Sequence, residues 1–184
     1  VFPKLQELGP WGCALLANSI PVTLVTLDLS CNSLGNSGCE ALSKRLPDLH
    51  YLETLTLHSN MIGVDGCACL SAQISNSKSL RSLGLNNNIF GDAGCILLSS
   101  LLQTSKLTTL ELRGNYIGAT GAISIASRLA GARLKRLRLG SNSIRTTGCL
   151  ALSRSIPLSS ITELDVSDNL IGEEGCSAIS MVEC

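Results

Sequence analysis

Aromatic side chains are nearly missing from this sequence: they make up 3% of its 184 residues, while hydrophobic residues make up 45%. The apolar content must then come from Leu, Ile, Ala and Cys, which suits many small, similar layers better than one aromatic-rich core. An excess of either charge is also lacking, because 14 Lys and Arg balance 14 Asp and Glu. A zero net charge argues against a protein whose main work is gripping nucleic acid or an anionic membrane. No apolar run approaches the ~20 residues that cross a bilayer, so membrane insertion is not expected. The opening "VFPKLQELG" has neither an initiator Met nor the pattern of a signal peptide. None of the eleven Asn begins an Asn-x-Ser/Thr glycosylation sequon. The nine cysteines cannot all pair within the chain, because nine is odd. Together these features predict a cytoplasmic, reducing setting in which Cys serves as a small buried hydrophobe. The length fits one domain, residues 1–184.

What the sequence does contain is repetition. Asn32, Asn60, Asn88, Asn115, Asn142 and Asn169 recur at steps of 28, 28, 27, 27 and 27 residues. The stretches "LVTLDLSCNSLGNSGCEAL", "LETLTLHSNMIGVDGCACL" and "LRSLGLNNNIFGDAGCILL" carry the first three, and "LTTLELRGNYIGATGAISI", "LKRLRLGSNSIRTTGCLAL" and "ITELDVSDNLIGEEGCSAI" the rest. Written generally the template is L-x-x-L-x-L-x-x-N-x-[LIF]-G-x-x-G-C-x-x-[LI], with repeats starting near residues 24, 52, 80, 107, 134 and 161 and a partial repeat over 1–23. Its "LGPWGCALL" matches "LGNSGCEAL", and its strand would fall on Val1, Phe2 and Pro3. The alternation Thr26-Leu27-Asp28-Leu29 predicts a short strand with one buried face. Asn and Gly mark a turn, and Cys39, Leu42 and Leu46 then fall at helical spacing. Strands stack ~4.8 Å apart and helices are ~10 Å across, so a stack of such units must curve with its sheet inside. The predicted fold is an α/β, right-handed solenoid or horseshoe, with a parallel β-sheet on the concave face and helices on the convex face. Neither end shows the polar cap that a repeat array needs, so the chain is expected to be a segment of a longer array. The Gly35 position reads Arg145 in the fifth repeat, so that turn is not expected to require positive φ strictly.

The template resembles the ribonuclease-inhibitor-like class of leucine-rich repeats over nearly the whole chain, through its 27–28-residue period and the L-G-x-x-G that follows Asn. The resemblance implies that Asn32, Asn60, Asn88, Asn115, Asn142 and Asn169 form a structural ladder of buried amides bonding the backbone of neighbouring turns. The residue chemistry agrees, since a polar amide repeated inside an apolar template must be buried and satisfied.

A Gly-Cys pair recurs at Cys13, Cys39, Cys67, Cys95, Cys149 and Cys176. Helices side by side hold these cysteines ~9–10 Å apart, beyond disulfide reach and too far apart to share one zinc shell. The fourth repeat places Ala122 at the same position, so the site asks for a small apolar group rather than a thiolate. No metal and no cofactor are predicted.

Outward strand residues form three rows. One is Asp28, Thr56, Gly84, Glu111, Arg138, Asp165; its neighbours are Thr26, Thr54, Ser82, Thr109, Arg136, Glu163 and Ser30, His58, Asn86, Arg113, Gly140, Ser167. One reading is a solvated face with lateral ion pairs Glu111–Arg138–Asp165 and Arg136–Glu163, each contributing under ~1 kcal/mol. The other is a partner surface made by Asp28, Thr56, His58, Glu111, Arg113, Arg136, Arg138, Glu163 and Asp165, in which Arg113, Arg136 and Arg138 form a basic stripe. Cys31, His58 and Asp28 lie close enough in the repeats to suggest a nucleophile, base and acid, but no oxyanion hole or pocket accompanies them. Trp11 and Tyr116 are expected in loops beside the Asn turn and partly buried, and His50 in a surface loop.

The predicted function is a non-enzymatic protein–protein interaction module in a scaffold, sensor or inhibitor role, binding a protein partner and no nucleic acid. The resemblance also admits a GTPase-activating protein of the Ran-activator type, and a structural spacer is the third reading.

Overall fold

The computed structural model describes residues 8–180; the strand expected at Val1–Pro3 lies outside them. Strands β1 (Thr26–Asp28), β2 (Thr54–Thr56), β3 (Ser82–Gly84), β4 (Thr109–Glu111), β5 (Arg136–Arg138) and β6 (Glu163–Asp165) form one parallel sheet in sequence order. The register aligns Leu27, Leu55, Leu83, Leu110, Leu137 and Leu164 across it. Helices α1 (Gly9–Ser19), α2 (Gly35–Arg45), α3 (Val64–Ile74), α4 (Gly91–Ser99), α5 (Leu101–Thr104), α6 (Ala119–Leu129), α7 (Arg145–Ser155) and α8 (Gly172–Ser180) occupy the spaces between strands. One-turn 3-10 helices at Leu46–Asp48 and Ile156–Leu158 lead two of them back to the sheet. The chain is an α/β solenoid whose central leucines and helix faces share one continuous core.

The thiols are part of that core. Cys13, Cys39, Cys67, Cys95 and Cys149 are buried, as is Ala122 at the equivalent place. Each packs against the Gly of the following repeat. A Cβ on Gly94 would sit 3.1 Å from Cys67 Sγ, and one on Gly148 would sit 2.9 Å from Ala122 Cβ. The Sγ–H of Cys13 and Cys149 points at the Gly38 and Gly175 carbonyls, 3.4 Å away in both cases. Burial pushes the Cys13 thiol up to about 11 and those of Cys39 and Cys95 to about 12. A thiol so raised is not a nucleophile at neutral pH. Cys176, in the last described helix, is exposed.

At the strand-to-helix turns the asparagines run in line. Asn88 Oδ1 accepts the N–H groups of Asn60 and Ile62, both at 3.0 Å, and its amide donates to the Leu57 and Leu85 carbonyls at 3.1 and 2.9 Å. Asn60 and Asn142 bond their neighbours in the same way. One side chain thus bonds backbone groups of two turns in an apolar surrounding, where an unpaired group is costly.

The turn after the ladder takes two forms. Gly35, Gly91, Gly172 and also Arg145 are left-handed, with φ between +55° and +66°, whereas Gly63 and Gly118 have φ of −103° and −94°. Arg145 therefore does take the positive φ that its side chain had argued against, while repeats two and four dispense with it. In the left-handed form the N–H donates to the next ladder residue's carbonyl, as from Gly35 to Asn60 at 2.9 Å and from Arg145 to Asn169 at 3.0 Å. In the other form a side chain from the preceding repeat caps the helix. Asn36 Oδ1 accepts from Gly63 and Gly66, and Asp92 Oδ1 from Gly118 and Gly121, at 2.7 to 3.1 Å.

Two outcomes follow for stability, both read from urea unfolding. Asn88→Ala leaves the buried N–H groups of Asn60 and Ile62 and the Leu57 carbonyl without a partner, while Leu85 keeps the Asn115 amide, and should cost roughly 3–5 kcal/mol. Arg145→Gly relieves a left-handed non-glycine residue on an exposed turn and should raise stability by about 1 kcal/mol.

Candidate partner-binding surface

The sheet presents its outward rows in the registers read from the sequence: Asp28, Thr56, Gly84, Glu111, Arg138 and Asp165 align, as do Thr26, Thr54, Ser82, Thr109, Arg136 and Glu163. The third row extends the sheet beyond the strands through backbone bonds such as Cys31 N–H to the His58 carbonyl and Asn87 N–H to the Arg113 carbonyl.

Side chains on this face reach further than one repeat, and two glycines allow it. Gly84 has no Cβ where His58 lies; one there would come within 2.9 Å of Nε2. His58 therefore spans the third repeat, and Nε2 faces Glu111 at 3.4 Å in the fourth. Its Nδ1 accepts the Asn86 N–H at 2.9 Å, while the Asn86 amide donates to Glu111 at 3.1 Å. Glu111 also meets Arg138 at 3.7 Å. Gly140 plays the same part in the fifth repeat. A Cβ there would sit 2.9 Å from both Arg113 and Asp165. Through that gap Arg113 reaches Asp165 at 3.8 Å and Asp168 at 3.2 Å.

This changes one expected pair. Arg138 forms no ion pair with Asp165 among the described residues; the carboxylate turns to Arg113, two repeats back, because the missing side chain at Gly140 opens the direct line. Asp165 is also held by Ser167, whose N–H and hydroxyl both donate to Oδ1, at 3.0 and 2.7 Å. Arg136 and Glu163 do pair across adjacent strands, through two N–H donors of the guanidinium, one of them at 2.6 Å. Asp28 and Thr56 stand apart from the charged network, and Asp28 binds the N–H and hydroxyl of Ser30.

Cys31, His58 and Asp28 are not brought together as a reacting group. Both ring nitrogens of His58 face the third and fourth repeats, away from Cys31, and Asp28 is engaged by Ser30. Among the described residues no three His, Cys, Asp or Glu side chains are placed to share a metal ion, and no helix is long and apolar enough to cross a membrane.

The aromatic expectation needs correcting. Trp11 lies within α1 rather than a loop, and both it and Tyr116 are exposed, as is His50. Trp11 occupies the first turn of its helix. Tyr116 directly follows a ladder asparagine, in a left-handed turn that aims it at solvent.

The family described as Leucine Rich repeat matches residues 22–43, 104–126 and 158–180. These three segments are leucine-rich repeats. Their strand–turn–helix units and 27–28-residue period resemble the ribonuclease-inhibitor-like class of such repeats. Among solved structures, leiomodin-1 actin-binding site 2 superposes with a TM-score of 0.61 at 16% identity, over 78% of this chain and 87% of that one. The tropomodulin C-terminal domain of Caenorhabditis elegans gives 0.55 at 12% identity, over 92% and 88%. Identities this low establish a shared fold. No curated protein matches the sequence.

The His58 environment gives the protein a titration to follow. Burial holds its imidazole below the ordinary value of 6.5, outweighing the pull of Glu111 and Asp28. The Asn86 N–H bond to Nδ1 also favours the neutral ring. A depressed base adds stability that is complete above its unfolded value and is lost as pH falls through the folded one. The urea midpoint should therefore drop between pH 7 and pH 5, with His58 titrating below 6.5 by NMR. His58→Gln should flatten that part of the profile.

Proposed function

We propose that this protein is a non-enzymatic binding module that presents the sheet face of its solenoid to a protein partner. The observation that carries the reading is the cross-repeat network itself. Arg113, Arg136, Arg138, Glu111, Glu163, Asp165 and His58 are held in fixed places by one another, so the face is ordered before any partner arrives. Preorganised side chains lose little freedom on binding, which favours specific recognition over a broad surface. Asp28 and Thr56 lie on the same face and would extend the contact to the first two repeats. The buried thiols suit a reducing, cytoplasmic setting.

Leiomodin-1 supplies the first partner to try, because the matching structure is described as an actin-binding site. Purified actin should bind the immobilised chain, and Arg136→Glu/Arg138→Glu should weaken that binding at least tenfold while leaving the circular dichroism melt in place. Absence of actin binding would remove actin as the partner. Binding that survives the double charge reversal would remove this face.

A further inference from the structure

A second surface runs along the edge where strands turn into helices. The residue directly after each ladder asparagine occupies that edge, and in order these are Ser33, Met61, Ile89, Tyr116, Ser143 and Leu170. Neighbouring turns touch there, as the Ile89 N–H bond to the Ile62 carbonyl at 2.9 Å shows. Met61, Ile89, Tyr116 and Leu170 are 55%, 57%, 74% and 79% exposed. A row of exposed apolar groups differs from the single ones scattered over most surfaces.

The fold does not ask for these residues. Ser33 and Ser143 fill the same place in two repeats, so no bulk is needed. Met61, Tyr116 and Leu170 are moreover left-handed, with φ of 56°, 60° and 54°, a conformation that large side chains adopt only at a cost. Ile89, whose β-branching would make that cost greatest, is the one of the four large apolar members without positive φ. Apolar bulk held out to solvent against backbone preference needs a reason outside folding. Where Ser143 interrupts the row there is a hollow of about 340 Å³, lined by Gly114, Tyr116, Ser141, Asn142 and Ser143. The row therefore has both projecting groups and a place to receive one.

Charge decides the occupant. The first helical turns behind the row carry Asp65, Asp92, Glu173 and Glu174. Asp65, Glu173 and Glu174 are exposed and form no ion pair among the described residues. The one cation among these turns is Arg145. We propose that this edge is a docking site for an amphipathic helical segment of a protein partner, with apolar residues on one face and Lys or Arg beside them. The row spans five repeat intervals from Ser33 to Leu170, about 25 Å at the strand spacing, which an α-helix of roughly 17 residues covers. This surface is separate from the sheet face and does not rest on the reading of that face.

The test uses the full chain and a fluorescein-labelled 18-residue helical peptide of Leu and Lys, with Leu along one face. A second peptide has Glu in place of every Lys. The Lys peptide should bind, and the Glu peptide should bind at least tenfold more weakly. Met61→Ser/Tyr116→Ser/Leu170→Ser should weaken the Lys peptide at least tenfold; Ser33 already holds this turn conformation, and an unchanged melt checks the fold. Asp65→Asn/Glu173→Gln/Glu174→Gln should weaken it too, whereas Arg136→Gln/Arg138→Gln should not. The proposal is overturned if the Lys peptide fails to bind, if the two peptides bind alike, or if the serine variant binds as well as the wild type. Sedimentation of the unliganded chain as a dimer that the serine variant abolishes would also overturn it, by assigning the row to a second copy.

Discussion

Everything in this molecule hangs on one amide. An asparagine carboxamide has an acceptor and two donors in a plane, and at Asn88 the acceptor and one donor reach the preceding repeat while the other donor closes its own turn. That arrangement fixes the distance from one turn to the next at hydrogen-bonding range. It also keeps the strands parallel and in register, because a slip by one residue would bury unpaired backbone groups in an apolar layer. The leucines contribute most of the burial, yet leucine contacts alone would tolerate sliding. The ladder sets the spacing, and the sheet face and the apolar edge inherit their regularity from it.

Within that frame, missing side chains shape the surface as much as the charged ones do. Gly84 and Gly140 are spaced two repeats apart, and each gives passage to a long side chain from the repeat before it. His58 and Arg113 thereby join repeats that do not adjoin. A larger residue at either glycine would cut the network into lateral pairs. The helix starts alternate on a similar scale, since Asn36 and Asp92 cap the helices of the second and fourth repeats while the left-handed turns serve the others. Period-matched units thus become distinguishable, which gives a quasi-repetitive stack individual places for a partner to read.

The period, the strand rows and the Gly-Cys packing were legible from the chain because they depend on spacing alone. Ala122 in place of cysteine was enough to separate packing from chemistry. The Arg113–Asp165 contact was not legible, because it depends on reach across a residue that has no side chain, and pairing rules consider only direct neighbours. Tyr116 was misread for another reason. It stands at the variable position of N-x-[LIF], and a position that varies between Ser, Met, Ile, Tyr and Leu does not register as a pattern. Aligned across repeats, four of six are large and apolar, and that signal was available. What could not be read was their outward aim, which at Met61, Tyr116 and Leu170 comes from a left-handed turn that non-glycine residues seldom adopt.

The balanced composition hides a separation of charge that the architecture produces. In a parallel stack every helix points the same way, so all N-termini lie along one edge and all C-termini along the other. Acids are favoured at the first and bases at the second by the helix dipole. Asp65, Asp92, Glu173 and Glu174 accordingly lie at helix starts, and Lys44, Arg45, Arg128 and Arg154 in last turns. In an antiparallel bundle these preferences would alternate and cancel locally. Here they add from repeat to repeat, and Lys78, Arg81, Lys106, Arg133 and Lys135 reinforce the basic side from the loops that lead into the strands. A net charge of zero therefore conceals a basic edge and an acidic edge beside the mixed charges of the sheet face. Which partner each surface admits depends on the edge it meets, and an apolar row placed on the acidic edge selects for a basic amphipathic segment through the same geometry that built the stack.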